Sequence, residues 1–189
     1  MNNLFPVFLK TEILDVLIIG GGNVGLEKLE AVLKNAPETQ VTIVAPLIRQ
    51  EISELAQKHR LTLIHEEYQP GHLTGRDIVI AGTDDKEVNR QVYLDCKREK
   101  ILINVADTPD LCDFYLSSVV RKGDLKIAIS TNGRSPTFAK RFREILEEII
   151  PESIQETLDN LQAIRNKLKG DFQSKVDKLN EITKVMKEK

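Results

Sequence analysis

Six residues near the start of the chain, Gly20-Gly21-Gly22-Asn23-Val24-Gly25, have the G-x-G-x-x-G spacing that brings a main chain close to phosphate. The first glycine permits a tight turn, the second lets the backbone approach a pyrophosphate, and the third lets a helix pack closely. Free N–H groups and the positive dipole end of that helix would then face the phosphates. The usual dinucleotide fingerprint adds an acidic residue about 20 positions on, where it holds the ribose hydroxyls. Ala45-Pro46-Leu47 stands there instead. Arg49 follows closely, either as a receptor for a 2′-phosphate, which favours NADP, or as an exposed first-turn residue of the next helix. Residue types alone leave NAD against NADP open.

Two further clusters lie where open α/β sheets bind ligands, at the carboxyl ends of apolar runs. In Gly82-Thr83-Asp84-Asp85 the two aspartates suit a crevice edge, and suit capping of the next helix at least as well. In Asn104-Val105-Ala106-Asp107 the last residue is followed by no convincing helix, and a partly desolvated carboxylate there would exchange protons near neutral pH. The third cluster, Ser130-Thr131-Asn132-Gly133-Arg134-Ser135-Pro136, puts small hydroxyl residues and a glycine before a helix start, another anion-friendly site. Lys140, Arg141 and Arg143 follow it, either to meet carboxylates or as a solvated helix face carrying i, i+3 and i, i+4 pairs.

These clusters need a scaffold, and the pattern between them supplies one. Short β-branched runs at 15–19, 41–44, 61–64, 77–81 and 101–105 read as strands buried on both faces. Helical spacing from Leu26 to Pro37, from Ile48 to His59 and from Val88 to Arg98 fills the gaps. The alternation predicts a doubly wound parallel α/β sheet of Rossmann type. After Asp107 the rhythm changes. Residues 114–120 and 125–130 read as an antiparallel strand pair joined by the turn-rich link 121–124, and a helix starts at Ser135-Pro136 and runs towards Ile150. Apolar positions from Ile154 to Met186 then predict two amphipathic helices broken at Gly170. The expected divisions are a dinucleotide-binding domain over 1–113, an α+β region over 114–150, which the family resemblance given below implies is a dimerisation region, and a C-terminal helical region over 151–189.

Composition narrows the function classes. The 189 residues are 41% hydrophobic and 30% charged, the balance of an ordinary globular chain. With 27 basic and 29 acidic residues the formal net charge is -2, so no global field attracts nucleic acid or an anionic membrane. No apolar run reaches the ~20 residues of a membrane span, and the start Met1-Asn2-Asn3-Leu4 lacks the basic region of a signal peptide. A cytoplasmic protein is expected. Cys96, Cys112, His59, His65 and His72 are too scattered for structural zinc spacings, so no metal site is expected. With no Trp and 5% aromatics, recognition by stacked rings is a poor fit.

In family order, Gly20-Gly21-Gly22-Asn23-Val24 with Lys28, Val44-Ala45-Pro46, Gly82-Thr83-Asp84-Asp85, Asn104-Val105-Ala106-Asp107, Leu111-Cys112-Asp113-Phe114 and Ser130 to Pro136 resemble precorrin-2 dehydrogenase, the siroheme synthase N-terminal module. The resemblance covers about residues 4–151. It implies NAD-dependent oxidation of precorrin-2 to sirohydrochlorin in siroheme or corrin synthesis, by a homodimer with a strand-exchanging region after the Rossmann domain. By resemblance Gly20, Gly22, Asn23, Val24 and Gly25 form the cofactor turn, and Ala45, Pro46 and Leu47 lie near the adenosine. Thr83, Asp84 and Asn104 lie near the nicotinamide end, and Asp107 is the acid/base. Precorrin-2 is a polycarboxylate, which gives Thr131, Asn132, Gly133, Arg134 and Ser135 a role as its binding loop.

The chain departs from the family pattern at Gly25, where Ala is common, and at Lys10-Thr11-Glu12-Ile13-Leu14, which replaces a Gly-containing lead-in. The resemblance does not extend to the methyltransferase domain of fused siroheme synthases. Two rivals remain. One is a bifunctional enzyme that also inserts iron or cobalt into sirohydrochlorin. The other is a non-catalytic NAD(H)-sensing module whose C-terminal helices signal to a partner.

Overall fold

The computed structural model of the chain describes residues 2–184, so Met186 lies outside the described residues. Two compact units are present, one ending at Leu116 and the other starting at Ser117.

In the first unit β1 (Asp15–Ile19), β2 (Gln40–Val44), β3 (Leu61–Ile64), β4 (Ile78–Ala81) and β5 (Leu102–Val105) form one parallel sheet in the order β3-β2-β1-β4-β5. Successive side chains of a strand point to opposite faces. Val16 and Ile18 therefore join Leu29, Leu33, Ile43 and Ile52 in a core cluster with α1 (Asn23–Asn35) and α2 (Gln50–Ala56). Leu17 and Ile19 join Val79, Val92, Cys96 and Ile103 in a second cluster with α3 (Lys86–Glu99). Each fully buried Leu, Ile or Val contributes about 1.5–3 kcal/mol, so these clusters fasten the helices to the sheet. Helices on both faces explain why the strands read as unbroken apolar runs. The arrangement is the doubly wound, Rossmann-like α/β fold that the alternation predicts.

Strand order reverses at β1, which pairs with β2 on one side and β4 on the other. There the ladder runs one residue past the strands. Gly20 N–H donates to the Val44 carbonyl at 3.0 Å, Gly82 N–H to Ile19 at 2.8 Å, and Ala106 N–H to Ala81 at 2.8 Å. The glycine turn, the Gly82 loop and the Ala106-Asp107 turn thus leave the same carboxyl edge of the sheet.

All three helices of this unit differ in their bounds from expectation, α3 by starting at Lys86 and ending at Glu99. α1 begins at Asn23 rather than Leu26, because the glycine turn passes directly into the helix with Gly22 as its N-cap. α2 starts only at Gln50 because residues 47–49 lie along the glycine turn, and it ends at Ala56, with Gln57 and Lys58 in tighter i→i−3 turns in place of helix up to His59. Arg49 is extended, with ψ 148°, and its N–H donates to the Gly21 carbonyl at 3.0 Å.

In the second unit β6 (Ser118–Lys122) and β7 (Leu125–Ile129) form an antiparallel hairpin. The strand expected from residue 114 starts at Ser118, opposite Ile129, and the expected link over 121–124 shrinks to Gly123-Asp124 because Arg121 pairs with Lys126 and Lys122 with Leu125. Gly123 has φ 57°, the positive φ that suits a glycine at the first position of a two-residue hairpin turn. Gln155 of α5 (Ile154–Lys167) accepts the Asp124 N–H at 2.8 Å, and Lys122 pairs with Glu152. α4 (Pro136–Ile149) is capped by Ser135, whose hydroxyl accepts the Phe138 N–H at 3.1 Å. After Gly170 (φ 116°), α6 (Phe172–Thr183) is capped by Asp171 at 2.8 Å. Among the described residues no helix is long and apolar enough to cross a membrane.

Candidate functional site

The glycines of the turn do different work. Gly20 has φ 121°, and a Cβ on it would lie 2.5 Å from the Gly82 carbonyl oxygen. A Cβ on Gly25 would lie 2.1 Å from the Gly20 oxygen, so this position has no room, as it stands, for a side chain. Gly22 is the opposite case: nothing lies within 4 Å of where its Cβ would be. No side chain caps α1 and its first turn holds no acidic residue, so its leading N–H groups have no acceptor among the described residues. Bare donors beside open main chain fit the pyrophosphate of a dinucleotide.

Next to the turn, Ala45 is buried while Pro46 and Leu47 are exposed, Leu47 to 85%. Arg49 spans this corner. Its guanidinium donates from Nη1 to the Asn23 side-chain oxygen, and holds Glu51 through Nη2 and through Nε at 3.2 Å. Each partner fixes the other's charge: Glu51 raises the pKa of Arg49, and Arg49 lowers that of Glu51.

At the end of β4, Asp85 caps α3 by accepting the N–H groups of Glu87 (2.8 Å) and Val88 (3.2 Å). Asp84 does not share that role; it is exposed with no partner among the described residues. Thr83 is gripped by Asn89, a buried polar residue on α3. Nothing in the motif pattern singled Asn89 out, although an amide between Val88 and Val92 on a core-facing helix is a usable signal.

Asp107 stands in the left-handed region with φ 55°, inside a turn closed by the Thr108 N–H to the Val105 carbonyl at 3.2 Å. Asp and Asn tolerate this conformation better than other side chains. Its carboxylate is exposed and has no partner among the described residues, which corrects the expectation of partial desolvation: the turn lifts it off the sheet edge. Asn104 is buried, and its Nδ2 donates to the Phe114 carbonyl at 2.8 Å. The Cys112 sulfur accepts the Val105 N–H at 3.3 Å, and burial pushes this thiol up. Asp113 accepts the Ile103 N–H at 3.1 Å and pairs with Lys97. Together these bonds tie residues 112–114 to β5, next to the turn that presents Asp107.

The remaining candidates lie in the second unit. Asn132 (φ 55°) and Gly133 (φ 73°) fill the two left-handed positions of a turn closed by the Arg134 N–H to the Thr131 carbonyl at 3.1 Å. Two positive φ values are the mark of a type I′ turn, which by itself favours Asn-Gly. The Thr131 hydroxyl accepts the Ser135 N–H at 3.1 Å and Ser135 caps α4, so both hydroxyls have local partners. Arg134 is exposed and forms no ion pair among the described residues. Arg141 pairs with Glu144 at 2.8 Å and Arg143 with Glu147 at 2.7 Å, the solvated-face reading of these two cations. His72 Nδ1 accepts the Gln69 N–H at 3.0 Å while His65 is exposed. Among the described residues no three or more His, Cys, Asp or Glu side chains group as a metal site would require.

Residues 7–118 match the family described as "Putative NAD(P)-binding", and residues 122–149 match that described as "Sirohaem biosynthesis protein central". A siroheme synthase of Psychrobacter sp. (strain PRwf-1) is 44% identical over 150 residues, 79% of this chain and 30% of that protein. One from Pseudoalteromonas translucida is 38% identical over 173 residues, 92% of this chain and 36% of its own length. The chain thus spans about a third of these curated relatives. Among solved structures, "SirC, precorrin-2 dehydrogenase" superposes with a TM-score of 0.74 at 27% identity, over 95% of this chain and 89% of that one.

Proposed function

The chain belongs to the family described as "Putative NAD(P)-binding", and from that premise, with the siroheme synthase relatives and the precorrin-2 dehydrogenase neighbour in support, we propose that it is an NAD-dependent precorrin-2 dehydrogenase forming sirohydrochlorin. The observation that carries this reading is one sheet edge holding both an open, uncapped phosphate turn at Gly22 and a free carboxylate at Asp107. Bound NAD supplies the hydride acceptor. The chain's own groups do the rest. The N–H groups at Gly22, Asn23 and Val24 hold the pyrophosphate, with Gly20 and Gly25 shaping the turn. Ala45, Pro46 and Leu47 border the adenosine, and Thr83 and Asp84 the nicotinamide ribose. Asn104 acts through the 112–114 segment that it fastens. Asp107 accepts the proton that leaves the substrate as hydride departs, so two hydrogens are removed and one NADH and one proton appear. Arg134, in the Thr131–Ser135 loop, meets substrate carboxylates.

A homodimer is part of the proposal. Phe138, Phe142, Ile145 and Ile149 recur at spacings of four, three and four along α4 and are all exposed, the seam of a helix that packs on another copy. So is a cytoplasmic location. The test is anaerobic incubation of the purified protein with precorrin-2 and NAD, following sirohydrochlorin by absorbance. Conversion that needs both protein and NAD supports the reading, and NAD binding without turnover supports a sensing module in its stead.

A further inference from the structure

The fingerprint acid is missing at the end of β2, yet a carboxylate is present two residues beyond Arg49. Arg49 Nε and Nη2 grip the two oxygens of Glu51 in a fork, and Nη1 reaches the Asn23 side-chain oxygen at the start of α1. The segment carrying the pair is fastened to the glycine turn. Arg49 N–H donates to the Gly21 carbonyl at 3.0 Å, and Gly21 has no room for a Cβ, which would lie 2.3 Å from the Leu47 carbonyl oxygen. This corner, between the turn and the end of β2, is where such sheets hold the adenosine ribose, with an acid for the 2′-hydroxyl or an arginine for a 2′-phosphate. Here both groups are present and bound to each other.

We infer that Glu51 selects NAD over NADP, by occupying the Arg49 fork that would otherwise take a 2′-phosphate and by adding a like charge beside it. The inference rests on the NAD reading above. A carboxylate fills the fork with the bidentate geometry that a phosphate would need, so the two compete for one set of donors. Like charges brought together across a binding surface are a strong means of rejecting a wrong ligand. Both residues are solvent-exposed, so the pair is set by the corner and not by the core, and substituting either leaves the packed clusters intact.

The test is calorimetric titration of NAD and of NADP into the wild type, Glu51→Gln and the double variant Arg49→Gln/Glu51→Gln. The expected wild type binds NAD more tightly than NADP. In Glu51→Gln, NADP tightens by about tenfold or more relative to NAD, and in the double variant that gain disappears because it depends on the freed Arg49. A wild type that prefers NAD, with a ratio unmoved by Glu51→Gln, overturns this inference and leaves the NAD reading standing. A gain that survives in the double variant also overturns it, since Arg49 would not be the receptor. A wild type that prefers NADP or binds neither overturns the NAD reading and the inference with it.

Discussion

Asn89 holds Thr83 from three directions: its Oδ1 accepts the Thr83 N–H at 3.2 Å and hydroxyl at 2.8 Å, while its Nδ2 donates to the Thr83 carbonyl at 2.9 Å. A helix residue thereby sets the loop at the end of β4, the loop proposed to meet the nicotinamide ribose. Asn89→Ala leaves the half-buried Thr83 N–H and carbonyl without this partner, while the hydroxyl keeps the Asp85 carbonyl at 2.9 Å, at a cost of about 1–3 kcal/mol. For a chain of this size that is roughly 2–12 °C in melting temperature. Thermal unfolding with and without NAD checks it: the variant melts lower and gains less from NAD. Melting and NAD response equal to wild type would show that the clamp is idle.

The glycine turn separates packing from binding. Gly22→Ala meets no neighbour and costs at most about 1 kcal/mol, through the weaker N-cap. Its methyl group stands where the pyrophosphate approaches, so NAD affinity falls at least about tenfold. Gly25→Ala drives a Cβ onto the Gly20 carbonyl, and overpacking of that kind costs about 1–3 kcal/mol or more. Chemical denaturation and calorimetry on the two variants distinguish the roles; equal stability loss in both would contradict the assignment.

The α4 seam predicts an oligomeric change. Phe138 and Phe142 stack with ring centroids 5.9 Å apart while exposed, and Phe142→Glu puts a charge at the middle of that strip. Light scattering should report a dimer for wild type and a monomer for the variant. A wild-type monomer, or a variant that remains dimeric, removes α4 as the dimer surface.

Stability should fall on the alkaline side. Cys96 is fully buried, and burial pushes its thiol up to about 12. In the unfolded chain a thiol ionises near about 8.5. Above that value the folded state binds more protons than the unfolded one, so the contribution is complete below about pH 8.5 and is lost as pH climbs towards 12. Tyr68, whose hydroxyl donates to buried Asp95 at 3.0 Å, is raised as well and acts in the same direction. Melting temperature should decline progressively through this window, and less steeply in Cys96→Ala. An identical slope would rule out Cys96 as a source.

What the sequence made legible was local chemistry. The glycine turn, the Ser135-Pro136 helix start and the apolar strands are each written in consecutive residues, because turn geometry and burial on both faces demand particular residue types at neighbouring positions. The contacts that complete the site join distant segments. Arg49 reaching Asn23, Asn89 reaching Thr83 and Asn104 reaching Phe114 depend on the sheet bringing separate loops together, and no periodicity encodes them. The misread start of β6 has the same origin. Phe114 is apolar enough to pass for strand, but it packs on the core with its carbonyl bonded to Asn104, and pairing begins only at Ser118. Asp107 looked half-buried from its neighbours, while a left-handed turn raises it into solvent.

The most direct test compares wild type with Asp107→Asn, since Asn keeps the tolerance for positive φ and removes the base. Precorrin-2 and NAD are incubated anaerobically with each protein, and NADH and sirohydrochlorin are measured together. The account predicts one NADH per sirohydrochlorin from the wild type, and from Asp107→Asn unchanged NAD affinity with a rate lower by about 10²–10⁴-fold. No sirohydrochlorin from the wild type, or full turnover from Asp107→Asn, would contradict it.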